Sequence, residues 1–415
     1  MVSFSRWPSI LRKFERSVWH AKQTNQANDR TRQHRASRSK YRTSKPKLRE
    51  ANLNDYEQIA AIQIRNGLAS RPRENWLAFW QDNPVYKQYE GRWTIGWLLE
   101  NEQGVIVGWL GNVPSIYHFR GKELVCATMS PWAVDQPYRD YSNLLLDRFS
   151  RQKDVDLFLI TTAGAAVGPV SRLFGFSKVP VGTWNRAAFW ITNYRGFLQI
   201  ALSMKAFPLA RCASYPLAAA LFFRDWFKVD HLYVDAAAPE IELCSTFDRR
   251  FDAFWEELKQ QRNDVLLGVR SRETLLWHFR DTLARRRLWI FAFRERSRIL
   301  AYAVLDRHQN AFGLRRVRLV DFQALPGCER TITALLSKAI YRAAREGMHL
   351  LEITGCWLER PDLTQIIPPH RRKLPSWIFY YKPANRELRK ILQASVVWAP
   401  SSFDGDAALI KMMLV

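Results

Sequence analysis

Cys126-Ala-Thr-Met-Ser-Pro-Trp-Ala-Val-Asp-Gln-Pro-Tyr-Arg-Asp-Tyr-Ser-Asn-Leu-Leu-Leu146 is the stretch on which the reading of the chain turns. Its first part, through Val134, is small and apolar, like a buried strand. The run breaks at Asp135-Gln136-Pro137, Tyr138 to Asn143 reads as a polar turn, and Leu144-Leu145-Leu146 opens an amphipathic helix. A strand that passes through a short turn into a helix presents free N–H groups and the positive end of the helix dipole, which suit an anion. Arg139 adds a fixed charge suited to phosphate, and Asp140 opposes it. The same letters also describe an ordinary strand-to-helix turn.

The flanking residues give this stretch a setting. Trp93 to Glu100 and Val105 to Tyr117 read as strands around the turn Asn101-Glu-Gln-Gly104, and Arg120-Gly-Lys122 turns into the strand that begins at Leu124. Val155-Asp-Leu-Phe-Leu-Ile-Thr161 is nearly all apolar, as in a strand covered on both faces. A short helix then runs to Leu173, followed by Phe174-Gly-Phe-Ser-Lys-Val-Pro180. Leu48 to Tyr56 reads as a strand entering a helix at Asn54 or Asp55, residue types that cap helices.

This order resembles the GNAT (GCN5-related N-acetyltransferase) superfamily of acyl-CoA N-acyltransferases. Arg139-Asp-Tyr-Ser-Asn-Leu144 stands where that family has Arg-x-x-Gly-x-Gly/Ala, with Ser142 for the first glycine and Leu144 for the last small residue. Leu173-Phe-Gly-Phe176 is similar to the family's Gly-Phe block. The resemblance implies acetyl-CoA or another acyl-CoA as co-substrate. Ala133 and Val134 would grip its pantetheine, and Arg139, Asp140, Tyr141, Ser142 and Asn143 would hold its pyrophosphate. Glu123, at the start of the central strand, and Asp135, at its end, are the candidate general bases. The plainer reading of each is a turn or surface carboxylate. The tyrosine acid common in the family has no counterpart; Phe174 lies near its place.

The second half repeats the pattern. Leu288 to Phe293 and Ile299 to Leu305 flank a turn, and Val317 to Phe322 is the next strand. Thr331 to Glu346 is an amphipathic helix, and His349 to Thr354 a strand. Phe247 to Lys259 and Arg270 to Leu283 look like the helices that open this copy. An order repeated once in a chain argues for tandem units. The second copy lacks the phosphate turn: Leu325-Pro-Gly-Cys-Glu-Arg330 has one glycine and places Glu329 where a phosphate would sit. The expected fold is α/β (α+β): two tandem GNAT-like modules, each a mixed, mostly antiparallel sheet flanked by helices. The expected division is a basic tail over 1–46, a first module over 47–190, a helical linker over 191–230 and a degenerate second module over 231–415.

The 415 residues carry a net charge of +24, and residues 1–49 hold 14 Lys/Arg against 2 Asp/Glu. Beyond a short helix at Ile10 to His20, the tail is expected to be disordered from about Ala21 to Lys45. The plain reading is a solvated tail of no specific role; its charge would otherwise give weak contact with nucleic acid or an anionic membrane face, and its Arg- and Ser-rich composition also resembles a transit peptide. The five cysteines form no CxxC pair and the eight histidines lack ligand spacing, so a reducing compartment and no metal, zinc included, are expected. Trp190 to Phe227 reads as two helices joining the halves, or as a helix lying in a membrane interface; no uncharged run reaches the length of a transmembrane span.

Trp76 and Trp80, interleaved with arginines, are candidates for lining the acceptor cleft, or else pack inward. In the closing segment Trp398-Ala-Pro-Ser-Ser-Phe-Asp-Gly-Asp406, Asp404 and Asp406 are candidate ligands of the acceptor amine, with a plain Asp-Gly turn as the alternative. The expected activity is N-acyl transfer, most simply N-acetyl transfer (EC 2.3.1.-), from acyl-CoA to a small-molecule or sugar amine. The expected location is cytoplasmic, with membrane-peripheral placement as the alternative. Two other readings stay open: an aminoacyl transferase of the FemABX kind that uses tRNA, and a non-catalytic binding protein on a GNAT scaffold.

Overall fold

The structure is a computed structural model. It describes residues 44–164, 167–207, 209–227, 240–358, 368–374, 378–406 and 408–409. The expected helix at Ile10 to His20 and the expected disorder that follows lie outside the described residues, apart from the last two positions of the latter.

In the first half, β1 (Lys47–Glu50) precedes the helices α1 (Tyr56–Arg65), α2 (Arg73–Gln81) and α3 (Pro84–Gln88). The strands β2 (Gly96–Glu100), β3 (Ile106–Phe119) and β4 (Lys122–Val134) follow as an antiparallel meander. Then come α4 (Ser142–Ser150), β5 (Leu157–Ala163), α5 (Val167–Leu173), β6 (Ser177–Lys178) and β7 (Arg186–Ile191). Two helices, α6 (Tyr194–Ser203) and α7 (Ala210–Trp226), lead to the second half, as expected. It holds β8 (Ile241–Cys244), α8 (Arg249–Gln261), β9 (Leu267–Gly268), α9 (Arg272–His278) and α10 (Arg280–Ala284). There follow β10 (Leu288–Glu295), β11 (Arg298–Gln309), β12 (Arg315–Ala324), α11 (Thr331–Arg345), β13 (Leu350–Thr354), β14 (His370–Lys373), β15 (Ile378–Pro383) and α12 (Arg386–Ile391).

Two mixed, mostly antiparallel sheets result, matching the expected fold class. One runs β1-β2-β3-β4-β5-β15-β6, with β9 attached to β3; the other runs β14-β7-β13-β12-β11-β10-β8. Each contains one parallel pair, β4 with β5 and β12 with β13. The sheets do not separate at residue 190. β7, from the first half, lies between β13 and β14, while β15, from the second, lies between β5 and β6. Each half therefore completes the other's sheet.

The reason is visible in the residues. Ala187, Ala188, Phe189, Trp190 and Ile191 are all buried, so this strand needs sheet on both edges and cover on both faces. A single apolar cluster joins both sheets, from Tyr117 and Leu159 on one side to Trp190, Leu319 and Leu351 on the other.

Candidate functional site between two splayed strand pairs

β4 and β5 pair only where Cys126, Ala127 and Thr128 face Leu157, Phe158 and Leu159. Beyond that point β4 runs on to Val134 and β5 to Ala163 with no ladder between them. On its other edge β4 stays paired with β3 but bulges: Asn112 faces Met129 while Leu110 faces Trp132, so Ser130 and Pro131 stand opposite Gly111. A Cβ on Gly111 would lie 2.0 Å from the carbonyl oxygen of Ser130, so only glycine admits this bulge.

The open edge of β4 has defined donors. Asp135 donates its N–H to Val107 O, on the β3 side. In an antiparallel ladder hydrogen-bonded and non-hydrogen-bonded pairs alternate. The backbone groups of Val134 and Trp132 therefore face away from β3, into the gap, whereas those of Ala133 are committed to β3.

The turn after β4 departs from the expected loop. Gln136–Tyr141 is a 3₁₀ helix that runs straight into α4, and the Ser142 N–H donates to Arg139 O. Pro137 at its start supplies the helical φ and needs no N–H acceptor. One amide expected for an anion is thus already used, although Tyr141 gives α4 no side-chain cap. Arg139, Asp140 and Asn143 are exposed, and Tyr141 and Ser142 are half-buried.

Glu123 lies well before the point where the gap opens, and Asp135 lies just past the far end of β4. Glu123 is exposed and pairs across the ladder with His118. Five residues separate it from Thr128, about 17 Å at the rise of a strand. Asp135 is held by α1: Arg65 Nε donates to both of its carboxylate oxygens at 2.9 Å and Asn66 Nδ2 to one at 2.8 Å. Trp76 and Trp80 do not line a cleft; they are buried in a core with Ile59, Ile62 and Trp109, Trp80 at 1% exposure. Inward packing, the plainer alternative, is what these apolar side chains adopt.

The closing segment sits at the start of the gap, just beyond the last paired residues. The Asp406 carboxylate accepts hydrogen bonds from the Thr161 and Thr162 hydroxyls on β5 and from Ser130 on β4, and the Asp406 N–H donates to Thr161 Oγ1 at 2.9 Å. Burial raises this carboxyl above the ordinary aspartate range, against the pull of those hydroxyls. Asp406 thus bridges the two strands where their own ladder fails.

The same segment reaches the second sheet. β12 and β13 pair only at Arg316–Arg318 against Leu350–Glu352, then part in the same manner. Ser402 Oγ lies 3.4 Å from Thr354 Oγ1 at the end of β13. Asp404 faces Arg270 at 3.3 Å; Arg270 in turn donates to both oxygens of Asp321 on β12, at 2.8 and 3.2 Å, and to Gly268 O at 2.8 Å. Arg270 and Asp321 are fully buried, and Phe403 stacks under the guanidinium at 4.5 Å. Burial raises the Asp404 carboxyl and overcomes its attraction to Arg270, while for Asp321 the charge and hydrogen bonds of Arg270 prevail over burial and hold the carboxyl low. Asp404 is consequently part of an internal ion cluster, and Asp406 part of the first gap.

A cavity of about 300 Å³ lies between the two splayed pairs, reaching Thr161 on one side and Thr354, Gly355 and Ser402 on the other. Its lining carries six guanidiniums (Arg71, Arg280, Arg285, Arg287, Arg316 and Arg318) against two carboxylates, Asp281 and Asp306. His278 and His308 in the same wall are neutral near pH 7, because burial takes them to about 3 and about 4. Behind the wall Glu352 is shared by Arg316, Arg318 and Arg372; these arginines overcome burial and hold it at about 2. Asp82 pairs with Arg280. Counting these partners too, cations outnumber anions.

Sequence reasoning missed Ser130, Thr161, Arg270, Arg316, Arg318 and Asp321. In the sequence the last four stand beside or within apolar runs, and a charge in an apolar strand is the available signal that something internal pairs it.

No protein-family model and no curated protein matches the chain. Solved structures do. A conserved protein of unknown function from Enterococcus faecalis V583, described as a probable N-acyltransferase, superposes with TM-score 0.51 at 12% identity, over 82% of this chain and 73% of that one. A GCN5-related N-acetyltransferase from Kribbella flavida gives 0.50 at 11% identity, over 82% and 71%. Saccharomyces cerevisiae N-myristoyltransferase with bound myristoyl-CoA gives 0.50 at 11% identity, over 83% and 84%. At these identities the likeness is one of fold: the chain has the GNAT fold shared by N-acetyl- and N-myristoyltransferases, built on two interlocked sheets.

Proposed function

We propose that the protein is an N-acyltransferase that takes an acyl group from acyl-CoA in the gap between β4 and β5 and passes it to an amine in the cavity between the sheets. The observation that carries this reading is the gap itself, where strand amides are turned outward beside the start of a helix. The Trp132 and Val134 N–H groups are suited to the thioester carbonyl and to the pantetheine amides. Arg139 and the start of α4 are suited to the pyrophosphate.

The reaction is attack of the amine nitrogen on the thioester carbonyl carbon. The C–N bond forms, the C–S bond breaks, and the thiolate leaves. A proton must be taken from the nitrogen. We assign its acceptor to Asp406, reached through the Thr161 hydroxyl, which borders the cavity and hydrogen-bonds the carboxylate. A carboxyl with a raised pKa suits this role better than an ordinary one, since it holds the proton more firmly at neutral pH.

The acceptor amine is expected to carry anionic groups, because the cavity wall holds more cations than anions. Acetyl-CoA is the simplest donor, and longer acyl chains are included in the test. Acetyl-CoA or a longer acyl-CoA should raise the melting temperature, and Arg139→Glu should abolish the rise. A panel of neutral and anionic amines, read by thiol release, then identifies the acceptor. No thermal shift with any acyl-CoA would sink the proposal. Binding without turnover on any amine would favour the non-catalytic reading, to which the bonded Ser142 amide and the fully enclosed Asp406 lend support.

A further inference from the structure

The hairpin of α6 and α7 carries the largest concentration of exposed apolar side chains among the described residues. Phe207, Leu209, Tyr215, Phe222, Phe223, Trp226 and Phe227 are all exposed, Leu209 at 77%, Phe223 at 59% and Phe227 at 83%. On α7 the exposed positions Cys212, Tyr215, Pro216, Ala219, Ala220, Phe223, Trp226 and Phe227 recur at helical spacing and form one unbroken apolar stripe. A stripe of this kind normally faces a core, and here it faces outward.

The orientation is fixed by the opposite face. Ser214, Ala218, Leu221 and Asp225 point inward. Ala218 and Leu221 pack with Phe189, Ile191, Leu198 and Leu350 against the second sheet. Asp225 is buried, accepts from Tyr194 Oη at 3.1 Å, and lies 2.6 Å from His370 Nε2 on β14. Rolling the helix to hide its aromatic stripe would break both contacts of this carboxylate and pull Ala218 and Leu221 out of the core. At the tip, Ala206 and Leu209 take left-handed φ values of +51° and +58°, which side chains rarely adopt, and flank the outward-facing Phe207.

The charges around the stripe have one sign. Between residues 192 and 227 the basic residues are Arg195, Lys205, Arg211 and Arg224, and the one acidic residue is the buried Asp225. Arg195 lies over the Tyr215 ring at 4.0 Å, at the edge of the apolar face. Aromatic and aliphatic side chains at the centre, with guanidinium and ammonium groups at the rim, match an acyl-chain layer bordered by anionic headgroups.

We propose that this hairpin docks the protein on the surface of an anionic bilayer, with Leu209, Phe223, Trp226 and Phe227 entering the headgroup–acyl boundary and Lys205 and Arg211 meeting lipid phosphates. The inference is independent of the acyl-transfer chemistry.

The test is flotation of the full chain at physiological salt with phosphatidylcholine vesicles and with vesicles containing phosphatidylglycerol. The wild type should float with the phosphatidylglycerol vesicles. The double variant Phe223→Asp/Phe227→Asp should lose at least tenfold in partitioning, with its melting temperature kept because both sites are exposed. Lys205→Glu/Arg211→Glu should weaken binding to anionic vesicles and leave any binding to phosphatidylcholine unchanged. The basic tail is present in every variant, so equal flotation of wild type and Phe223→Asp/Phe227→Asp would assign binding to the tail and overturn the proposal. So would a lipid-free dimer that this variant converts to monomer, since the stripe would then be covered by a second copy. Failure of the wild type to float with either vesicle would also overturn it.

Discussion

Replacing Arg270 by methionine should be among the most damaging single changes in the molecule, and its size can be worked from the geometry. The guanidinium is fully buried between Asp321, at 2.8 and 3.2 Å, and Asp404, at 3.3 Å. Methionine fills much of the volume but leaves two carboxylates buried with no cation. Removing one member of a buried ion cluster costs about 3–5 kcal/mol. With an unfolding entropy of about 2.1 cal/mol/K per residue, a chain of 415 residues should lose about 3–6 °C in melting temperature.

The pH dependence carries a second signature. Without Arg270 both carboxyls should rise above their unfolded values, so the folded variant binds more protons than the unfolded chain in that window. Its deficit relative to wild type should therefore be smaller at pH 5 than at pH 8. Scanning calorimetry of both proteins at the two pH values is the assay. A deficit under about 1 kcal/mol, or one equal at both pH values, would refute the reasoning.

Other expectations follow from single contacts. Gly111→Ala places a methyl 2.0 Å from Ser130 O; it should destabilise by about 3 kcal/mol and lower acyl-CoA affinity, measured by thermal shift, because the β4 bulge must shift. Asp406→Asn should leave acyl-CoA binding intact and cut kcat by at least about 100-fold if the carboxylate takes the proton; unchanged turnover would return Asp406 to a purely bridging role. Arg318→Gln should raise KM for anionic amines by about tenfold and leave neutral amines unaffected, which a paired-substrate assay checks. Burial lowers His278 to about 3, so between its unfolded value of about 6.5 and that point the unfolded chain binds the extra proton. Stability should therefore drop as the pH is lowered through that window, by at most about 1.4 kcal/mol per unit from this group, and His278→Phe should flatten the slope in pH-resolved melts.

Much of the fold was legible because it is local. The turns at Asn101–Gly104 and Arg120–Lys122 and the apolar run ending at Thr161 give β2 to β5 within a few residues. The second copy follows by the same signals. The exchange of β7 and β15 was not legible. A buried strand announces that it needs neighbours but not which ones, and β15 pairs with β5 more than two hundred residues upstream.

At the site, a pantetheine grip at Ala133 and Val134 followed from resemblance, whereas the opening of the strands already after Thr128 did not, and the place of Asp406 depends on a contact 245 residues apart. Asp404 and Asp406 look alike in an Asp-Gly-Asp string, and three-dimensional context alone gives one a cation and the other three hydroxyls. Trp76 and Trp80 illustrate the converse: aromatic residues beside arginines mark a cleft only if the helix turns them outward, and α2 turns them in.

The reciprocal loan of β7 and β15 bears on how the molecule is made. A nascent chain that has emerged only through residue 230 has a first sheet with no partner for the inner edge of β5 and a strand, β7, with no sheet to join. Neither half expressed alone should be soluble, while the two co-expressed should rescue each other. Native assembly must wait until residue 383 has left the ribosome, and pairings of such long sequence separation are slow to form. Synthesis rate and chaperone supply, more than any single contact, should govern the yield of active protein.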